Sequence, residues 1–224
     1  MIEAEGVCLR YPDGTMALEN INLHVEPGEM VYITGPSGSG KTSLLKLFTG
    51  QEVPTTGSLK VMGQQVTKGQ AGVIRQLRRR IGPVFQEFRL IKGRTAMENV
   101  ILGMRFLGIP HVQLKENASS ALIKVGLEHK SHSLVENLSW GECQRIAIAR
   151  AVARKPALIL ADEPTGNLDH DNAMKILELL SSFKDKNTAV IITTHATHLI
   201  NGEKDVTLIR MEQGSIRRER LGRV

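Results

Sequence analysis

One glycine-rich stretch, residues 35–42 with the sequence GPSGSGKT, limits most strongly how this chain can fold. It fits the pattern G-x-x-x-x-G-K-[ST], in which backbone N–H groups surround phosphate oxygens. The preceding residues 30–34 are β-prone, and residues 43–49 carry apolar side chains at helical spacing before Gly50. A strand, a glycine loop and a helix are the context that the pattern requires, so the sequence predicts nucleotide binding.

The residue types inside this loop fit phosphate and metal chemistry. Gly35, Gly38 and Gly40 permit tight turns that direct N–H groups inward, and the helix N-terminus adds partial positive charge. Lys41 supplies a point charge for the β- and γ-phosphates, and the Thr42 hydroxyl is a ligand for Mg²⁺. The alternative is a glycine-rich turn followed by a chance Lys-Thr pair, and the flanking strand and helix argue against it.

Composition excludes several classes of protein. The 224 residues suffice for one large α/β domain, and two cysteines make no disulfide framework. No apolar run approaches about 18 residues, and Glu3 and Glu5 lie where a signal peptide would be apolar, so we expect a cytoplasmic protein. The net charge of +6 is accounted for by nucleotide binding and a basic tail that contains Arg217, Arg218, Arg220 and Arg223.

Hydrophobic periodicity predicts an α/β chain with small antiparallel elements at its start. The predicted strands cover residues 2–10, 17–25, 30–34, 81–85, 156–161 and 189–194, with hairpins in residues 53–66 and 206–216. The predicted helices cover residues 43–49, 71–80, 97–104, 114–125, 146–154 and 171–183. The stretch from about residue 95 to residue 130 therefore reads as a helical insertion between strands of a parallel core.

Two acidic residues, Asp162 and Glu163, follow the apolar run at residues 156–161. Ligands bind at the carboxyl ends of strands in open parallel sheets, which is where these acids are expected. Asp162 is suited to holding Mg²⁺ through water, and Glu163 to acting as general base on an attacking water or orienting it. The alternative is a strand that ends in two solvated acids.

A second constellation lies at residues 138–145, with the sequence LSWGECQR, before the helix predicted at residues 146–154. A serine and a glycine at a helix N-terminus form another anion site. The alternative is an ordinary helix with a serine cap.

Together, these motifs resemble those of the ATP-binding-cassette (ABC) ATPases, and the resemblance covers nearly the whole chain. It implies an α/β fold with a P-loop NTPase (RecA-like) core, a small antiparallel β subdomain and an inserted helical subdomain. The resemblance places the core and the β subdomain in residues 1–85 and 156–224 of a single domain. It places the helical subdomain, which carries the signature motif, in residues 86–155.

The resemblance also implies roles for individual residues. Tyr11 would stack on adenine, Asp162 would hold the metal, and Gln86 would reach both the metal and the attacking water. The expected catalytic residues are Glu163, His195 and Gln86, and the expected Mg²⁺ ligands are Thr42, Gln86 and Asp162. The expected ATP-binding residues are Tyr11, Gly35, Pro36, Ser37, Gly38, Ser39, Gly40, Lys41, Thr42, Ser43, Ser139, Gly141 and Asp169.

Within the ABC ATPases, residues 44–47, 81–90 and the pair Arg94-Thr95 resemble the FtsE family of cell-division ATPases. That resemblance implies Mg²⁺-dependent ATP hydrolysis by a homodimer, with each ATP between the phosphate loop of one chain and the signature of the other. It further implies an integral membrane partner similar to FtsX, which would attach the chain to the inner face of the membrane and regulate cell-wall hydrolases. No nucleic-acid partner is expected.

The signature departs from the usual Leu-Ser-Gly-Gly-Gln or Leu-Ser-Gly-Gly-Glu, because Trp140 replaces its first glycine and Cys143 follows Glu142. We expect Trp140 to lie at the interface of an ATP-bound dimer or to pack in its own subunit. Three alternatives stay open. The first is an ATPase subunit of a lipoprotein-releasing or macrolide-exporting transporter. The second is a regulatory ATP-binding module with negligible turnover, and the third is a DNA-associated cassette. The last usually carries long coiled coils or zinc modules, and this sequence has neither.

Overall fold

The protein is described by a computed structural model that covers residues 1–200 and 205–221, with residues 218–221 given by their backbone alone. Arg223 of the predicted basic tail lies outside the described residues, as do the side chains of Arg218 and Arg220. Across the part that is described, no helix combines the length and the apolar character needed to cross a membrane.

The chain divides into two compact units. The first unit combines Met1–Arg78 with Lys184–Val224, and the second is Arg79–Phe183. The division expected from the resemblance, with a helical subdomain at residues 86–155, stays a prediction.

The strands and helices have the following bounds. The strands are β1 (Ile2–Arg10), β2 (Met16–Val25), β3 (Met30–Thr34), β4 (Thr56–Val61), β5 (Gln64–Gln65), β6 (Ile81–Val84), β7 (Leu158–Asp162), β8 (Ala189–Thr194), β9 (Val206–Glu212) and β10 (Ser215–Leu221). The helices are α1 (Lys41–Phe48), α2 (Ala71–Arg79), α3 (Ala96–Leu102), α4 (His111–Lys124), α5 (Trp140–Val152) and α6 (His170–Ser181). Most predicted elements agree with these bounds to within a few residues, while β10 extends beyond its prediction.

The predicted start of α5 at Ile146 is wrong, because the helix begins at Trp140. The cause is a capping box: the Ser139 side chain accepts a hydrogen bond from the Glu142 backbone N–H, and the Glu142 side chain accepts one from the Ser139 N–H. This pair satisfies two N–H groups that a helix start otherwise leaves without partners, so the helix extends back to the serine. The S-x-x-E spacing was present in the sequence.

An antiparallel sheet in the first unit has the strand order β2-β1-β4-β5. Ile2 in β1 pairs with Val25 in β2 and with Val61 in β4, and all three side chains are buried. Buried and exposed residues alternate along the start of β1, as expected for a sheet with one covered face.

The other sheet of this unit is mixed and has the strand order β10-β9-β3-β8, in which β10 runs antiparallel to β9. Every residue of β3 and of β8 is buried, and β3 runs parallel to both β8 and β9. Strands that are covered on both faces need continuous apolar runs, which explains why their sequences do not alternate. Thr34 pairs with Thr194, so β3 and β8 end side by side at their carboxyl ends.

The second unit is mainly helical around a pair of parallel strands, β6 and β7. Helix α5 is its central helix, since it packs against α3, α4 and β6. The side chains of Ile146, Ala147, Ile148 and Ala149 are completely buried. The four consecutive buried residues show that this helix is covered on all sides, which is typical of a core helix.

We predict that Gly57→Ala destabilises the first unit more than Gly63→Ala does. Both glycines have positive φ, +83° and +77°, so alanine is strained at both positions by about 1–2 kcal/mol. A methyl group at Gly57 would also lie 2.3 Å from the Gly6 carbonyl oxygen, whereas one at Gly63 would meet no atom within 4 Å from the described residues beyond its chain neighbours. The clash should cost roughly a further 1–3 kcal/mol in urea denaturation. Equal losses for the two variants would contradict this packing.

Candidate functional site

The loop at residues 35–40 connects β3 to α1 and lies directly against neighbouring backbone. A methyl group at Gly35 would lie 2.2 Å from the Met211 carbonyl oxygen, and one at Gly40 would lie 2.7 Å from the Ala17 carbonyl oxygen. Gly40 also has a φ of +106°, in the region that favours glycine. Only residues without a side chain fit at these two positions, and this accounts for the spacing of the glycines.

Helix α1 begins at this loop without a side-chain cap and without an acidic residue in its first turn. The first N–H groups of a helix have no partner within the helix and carry the positive end of its dipole. Gly40, Thr42 and Ser43 lie at this end, and Thr42 is exposed. The start of α1 is therefore suited to an anion such as a phosphate group.

Lys41 is buried, with a relative accessible surface of 7%, and its ammonium group forms hydrogen bonds to the loop itself. Its Nζ donates to the carbonyl oxygens of Gly35, at 2.8 Å, and Pro36, at 3.1 Å. The side chain therefore folds over the loop, with its charge held beside the expected phosphate position.

Ser39 is also buried, and its Oγ atom has no hydrogen-bond partner among the described residues, whereas Pro36, Ser37 and Gly38 are exposed. A buried hydroxyl without a partner is costly, and an oxygen ligand inside the loop would supply one. The loop thus presents a hydroxyl and an ammonium group together with its own N–H groups.

Tyr11 lies beside α1. Its hydroxyl is 3.0 Å from Ser43 Oγ, and its ring centroid is 5.8 Å from Lys46 Nζ. The aromatic ring is thus close to the start of the helix that follows the glycine loop, as its predicted role requires.

His195 follows β8 in the same way that Gly35 follows β3. Because Thr34 and Thr194 are paired, these two residues leave the parallel sheet at the same edge. The His195 side chain is exposed. The first unit therefore has Tyr11 beside the helix that follows the loop and His195 at the sheet edge where the loop begins.

The second unit holds the two acids at the end of β7. Asp162 is its last residue, and Glu163 follows with a φ of +47°. A left-handed conformation is uncommon for a residue other than glycine and carries strain. The Gly166 N–H donates to the Glu163 carbonyl oxygen at 3.1 Å, which closes a tight turn after the strand.

Gln86 lies close to that turn. Strands β6 and β7 are parallel, with Val84 paired to Ala161, so Gln86 and Glu163 both follow adjacent strands. A methyl group on Gly166 would lie 3.8 Å from Gln86 Nε2. The structure therefore brings Gln86 together with the residues that follow β7.

Ser139 and Gly141 stand at the start of α5. Ser139 is the N-cap in the capping box described above, and a methyl group on Gly141 would be 4.0 Å from Leu168 Cδ2. Ser139 is thus the capping serine that the alternative interpretation of this motif foresaw. A capping role and an anion site at the same helix end are compatible, because the start of the helix keeps other N–H groups.

Asp169 is the N-cap residue of α6. Its Oδ1 accepts from the Asn172 N–H at 2.9 Å, and its Oδ2 accepts from Asn172 Nδ2 at 2.6 Å. The backbone hydrogen bond from Asn172, reinforced by the side-chain one, lowers the pKa of Asp169. The structure gives Asp169 a local partner, and its expected contact with the nucleotide stays a prediction.

The pattern of the family described as ABC transporter matches residues 18–166. The chain belongs to the ABC transporter family. The cassette is 37% identical over 219 residues to the cell division ATP-binding protein FtsE of Streptococcus pneumoniae serotype 2 (strain D39 / NCTC 7466), covering 98% of this chain and 95% of that protein. It is 41% identical over 201 residues to FtsE of Escherichia coli K12, covering 90% of each.

A solved dimeric structure of the ATP-binding cassette MJ0796, in a post-hydrolysis state bound to ADP and Pi, has the same fold. Its TM-score is 0.87 at 33% identity, and the alignment covers 99% of both chains. The predicted α/β fold of an ABC ATPase and the predicted resemblance to FtsE are both confirmed.

Two residues of this cassette that position the segment after Gln86 were not found from the sequence. Arg150, on α5, donates to the carbonyl oxygens of Phe88, at 2.5 Å, and Arg89, at 2.6 Å. Burial, together with the charge of Arg89, lowers the pKa of Arg150 to about 10, so it keeps its charge at neutral pH. An arginine at this point of a helix gives no sequence signal, because its partners are backbone atoms.

Asn99 is the second such residue, and it is 1% exposed. Its Oδ1 accepts from the Ile91 N–H at 2.7 Å, while its Nδ2 donates to the carbonyl oxygens of Ile91, at 3.2 Å, and Thr95, at 3.0 Å. A buried asparagine that satisfies loop backbone fixes the path of that loop. It fixes the segment between Gln86 and α3.

We predict that Glu142→Gln destabilises the cassette by about 1 kcal/mol at pH 7, since the amide is a weaker acceptor at the helix start. The backbone hydrogen bond from Ser139 lowers the pKa of Glu142. Its stabilisation is therefore present above the ordinary pKa of glutamate and is lost as the pH falls through the lower folded value.

The measurement is the free energy of unfolding of both chains from pH 7 to pH 3. The difference between parent and Glu142→Gln should shrink at the acidic end. Glu116→Gln, at an exposed position of α4, is the matched control and should change stability little at either pH. A difference between parent and Glu142→Gln that does not depend on pH would contradict the assigned role of the carboxylate.

Proposed function

We propose that this chain is the ATP-hydrolysing subunit of a cell-division complex of the FtsE type. The observation that carries the proposal is its identity of 37% and 41% to FtsE proteins over nearly all of both chains. The geometry of the loop at residues 35–40 and of the turn after β7 supports the same reaction. We take residues 1–85 and 156–224 as the nucleotide-binding core, with residues 86–155 as the helical subdomain.

In this proposal, ATP binding depends on the loop and the start of α1. Phosphate oxygens accept hydrogen bonds from loop N–H groups, from Ser39 and from Lys41, whose ammonium group exchanges its carbonyl partners for the phosphates. The hydroxyls of Thr42 and Ser43 lie at the helix start, and Tyr11 stacks on the adenine.

The proposed metal ligands are oxygen atoms of Thr42, Gln86 and Asp162. A hydroxyl, an amide carbonyl and a carboxylate are the hard donors that suit Mg²⁺, which completes its shell with waters and phosphate oxygens. Among residues 1–200 and 205–221, no group of three or more His, Cys, Asp and Glu side chains is arranged to hold a metal ion. When bound, Mg²⁺ neutralises charge that develops on the phosphates.

Three side chains are proposed to act in hydrolysis: Glu163, Gln86 and His195. Glu163 takes a proton from the attacking water or orients it, Gln86 contacts the same water, and His195 hydrogen-bonds near the γ-phosphate. The left-handed backbone of Glu163 supports a catalytic role, because strained residues cluster at functional sites.

We further propose a homodimer that holds two ATP molecules. The dimer of MJ0796 supports this arrangement. Ser139 and Gly141 would supply the start of α5 to the γ-phosphate bound by the other copy, and Asp169 would lie close by. Having one copy of each motif per chain fits a symmetric pair.

The proposed partner is an integral membrane protein similar to FtsX, which would hold this chain at the cytoplasmic face of the membrane. Closure and reopening of the dimer would then act on the partner. The proposal includes no nucleic-acid partner.

We predict that Glu163→Gln keeps ATP binding while hydrolysis falls roughly a hundred- to ten-thousandfold, because an amide cannot accept the proton. Single-turnover hydrolysis and equilibrium ATP binding of the purified chain are the measurements. Glu178→Gln, at an exposed position of α6, is the matched control and should hydrolyse ATP at the parental rate.

Two outcomes would contradict the proposal in different ways. Hydrolysis by Glu163→Gln within a few-fold of the parent would show that Glu163 is not the base. Tight ATP binding with negligible turnover by the parent chain, with and without its membrane partner, would instead favour a regulatory ATP-binding module.

We predict that Ile91→Glu weakens association with the membrane partner at least about tenfold, which corresponds to roughly 1.4 kcal/mol. The partner is proposed to dock on residues 85–99, where Ile91 is 51% exposed beside the Gln86 segment. Asn99 holds the backbone of Ile91, so a new side chain should leave the loop in place. Co-purification with the co-expressed partner is the measurement.

Ile123→Glu is the matched control, because Ile123 is 54% exposed on α4. It should retain the partner, and both variants should keep parental ATP binding. Undiminished co-purification of Ile91→Glu would exclude this docking surface, and equal losses for both variants would show that any exposed charge has the same effect.

A further inference from the structure

We propose that Trp140 is a positioning residue for ATP hydrolysis, holding both the turn that follows Glu163 and the segment that follows Gln86. The inference rests on the proposed function, since it takes Glu163 and Gln86 as the residues that act on the attacking water. It assigns a role to the residue by which this signature departs from the common pattern.

The indole of Trp140 makes two contacts within the second unit. Its Nε1 donates to the Gly166 carbonyl oxygen at 3.3 Å. Its ring meets the ring of Phe88 edge-on, with centroids 4.5 Å apart and planes at 64°. Edge-to-face pairs at this separation are favourable, and a partly buried indole N–H usually finds an acceptor.

The first contact supports the turn that carries Glu163. The Gly166 N–H bonds to the Glu163 carbonyl, and the Leu168 N–H bonds to the Thr165 carbonyl, so the chain reverses within a few residues. Glu163 and Asn167 have φ values of +47° and +63°, which are strained for residues with side chains. Such conformations persist only where the surroundings hold them, and Trp140 holds the peptide between these two residues.

The second contact supports the segment after Gln86. Phe88 is held by its ring, which packs on Trp140, and by its carbonyl oxygen, which accepts from Arg150. Arg89, the next residue, has a φ of +50°. Both holding residues belong to α5, so one rigid helix fixes this segment at two points.

The usual glycine at position 140 would make neither contact. With the usual signature sequence, which has glycine at this position, the start of α5 would have no side chain that reaches either the turn or Phe88. Here one side chain joins the signature helix to both. Trp140 remains 46% exposed as a residue, so its hydrogen bond is expected to be a modest one.

Loss of the Trp140 contacts is expected to affect the rate of hydrolysis. A catalytic group that samples several positions loses part of its advantage, because catalysis requires a narrow geometry. Loss of the indole should therefore lower kcat. Affinity of a single chain for ATP should change little, because the phosphate contacts that the same chain supplies come from residues 35–43.

The test compares Trp140→Phe with Trp140→Gly in the purified whole chain. Phenylalanine keeps an aromatic ring beside Phe88 but cannot donate to Gly166, so kcat should fall roughly three- to tenfold, as expected for one hydrogen bond. Glycine removes both contacts and should lower kcat further. The dissociation constant for ATP, measured at a protein concentration that keeps the chain monomeric and with the Glu163→Gln substitution added to each variant, should stay within about twofold of that of Glu163→Gln alone.

Two further variants make the test specific. Phe88→Leu should lower kcat in the parent chain and have little additional effect in Trp140→Gly, because the ring contact is already lost. Phe106→Ala is the matched control, since Phe106 is an aromatic residue of the same unit that is 84% exposed. It should leave kcat at the parental value.

The outcomes separate this inference from the proposed function. If the parent chain hydrolyses ATP and both Trp140→Phe and Trp140→Gly have the same kcat as the parent, the role of Trp140 is overturned and the proposed ATPase function stands. Parallel changes in kcat and ATP affinity would also overturn it, since they indicate a binding defect. A parent chain without hydrolysis, or one that Glu163→Gln does not impair, contradicts the proposed function and this inference with it.

Discussion

Close contact between backbone segments is the constraint on which the phosphate loop depends. Gly35 lies against the carbonyl of Met211 in β9, and Gly40 lies against that of Ala17 in β2, at distances that leave no room for a Cβ atom. The loop is therefore fixed by strands from both sheets of the first unit. With the loop fixed, Lys41 and the start of α1 have defined positions, so their positive charge is organised before any phosphate arrives.

Helix α5 has the corresponding role in the second unit. Its start is fixed by the Ser139 and Glu142 capping box, and its interior by a run of fully buried residues. From this fixed helix, Trp140 and Arg150 extend to loop carbonyls and to Phe88. Irregular segments with strained residues can keep one conformation when a rigid element satisfies their backbone, and α5 is that element here.

The sequence predicted regular elements well and backbone-directed contacts poorly. The strands β3 and β8 were predicted to within their bounds, because continuous apolar runs have few other interpretations. The start of α5 was misplaced because the apolar run begins later than the cap. The partners of Arg150 and Asn99 are carbonyl and N–H groups, which every residue has, so no pattern of residue types reveals them. The contacts of Trp140 with Gly166 and Phe88 likewise depend on tertiary packing, which the sequence pattern does not reveal.

The two units separate two kinds of chemistry. The first unit concentrates donors and positive charge around the loop at residues 35–40, which is the requirement for holding a polyphosphate. The second unit presents a carboxylate and an amide, Glu163 and Gln86, on turns that follow β7 and β6. In the proposed function, the loop that holds the phosphates of the chain's own ATP lies in the first unit, whereas Glu163 and Gln86, which act on the attacking water, lie in the second. On that proposal, a change near the turn after β7 should act on the chemical step, because the loop at residues 35–40 keeps its own supports.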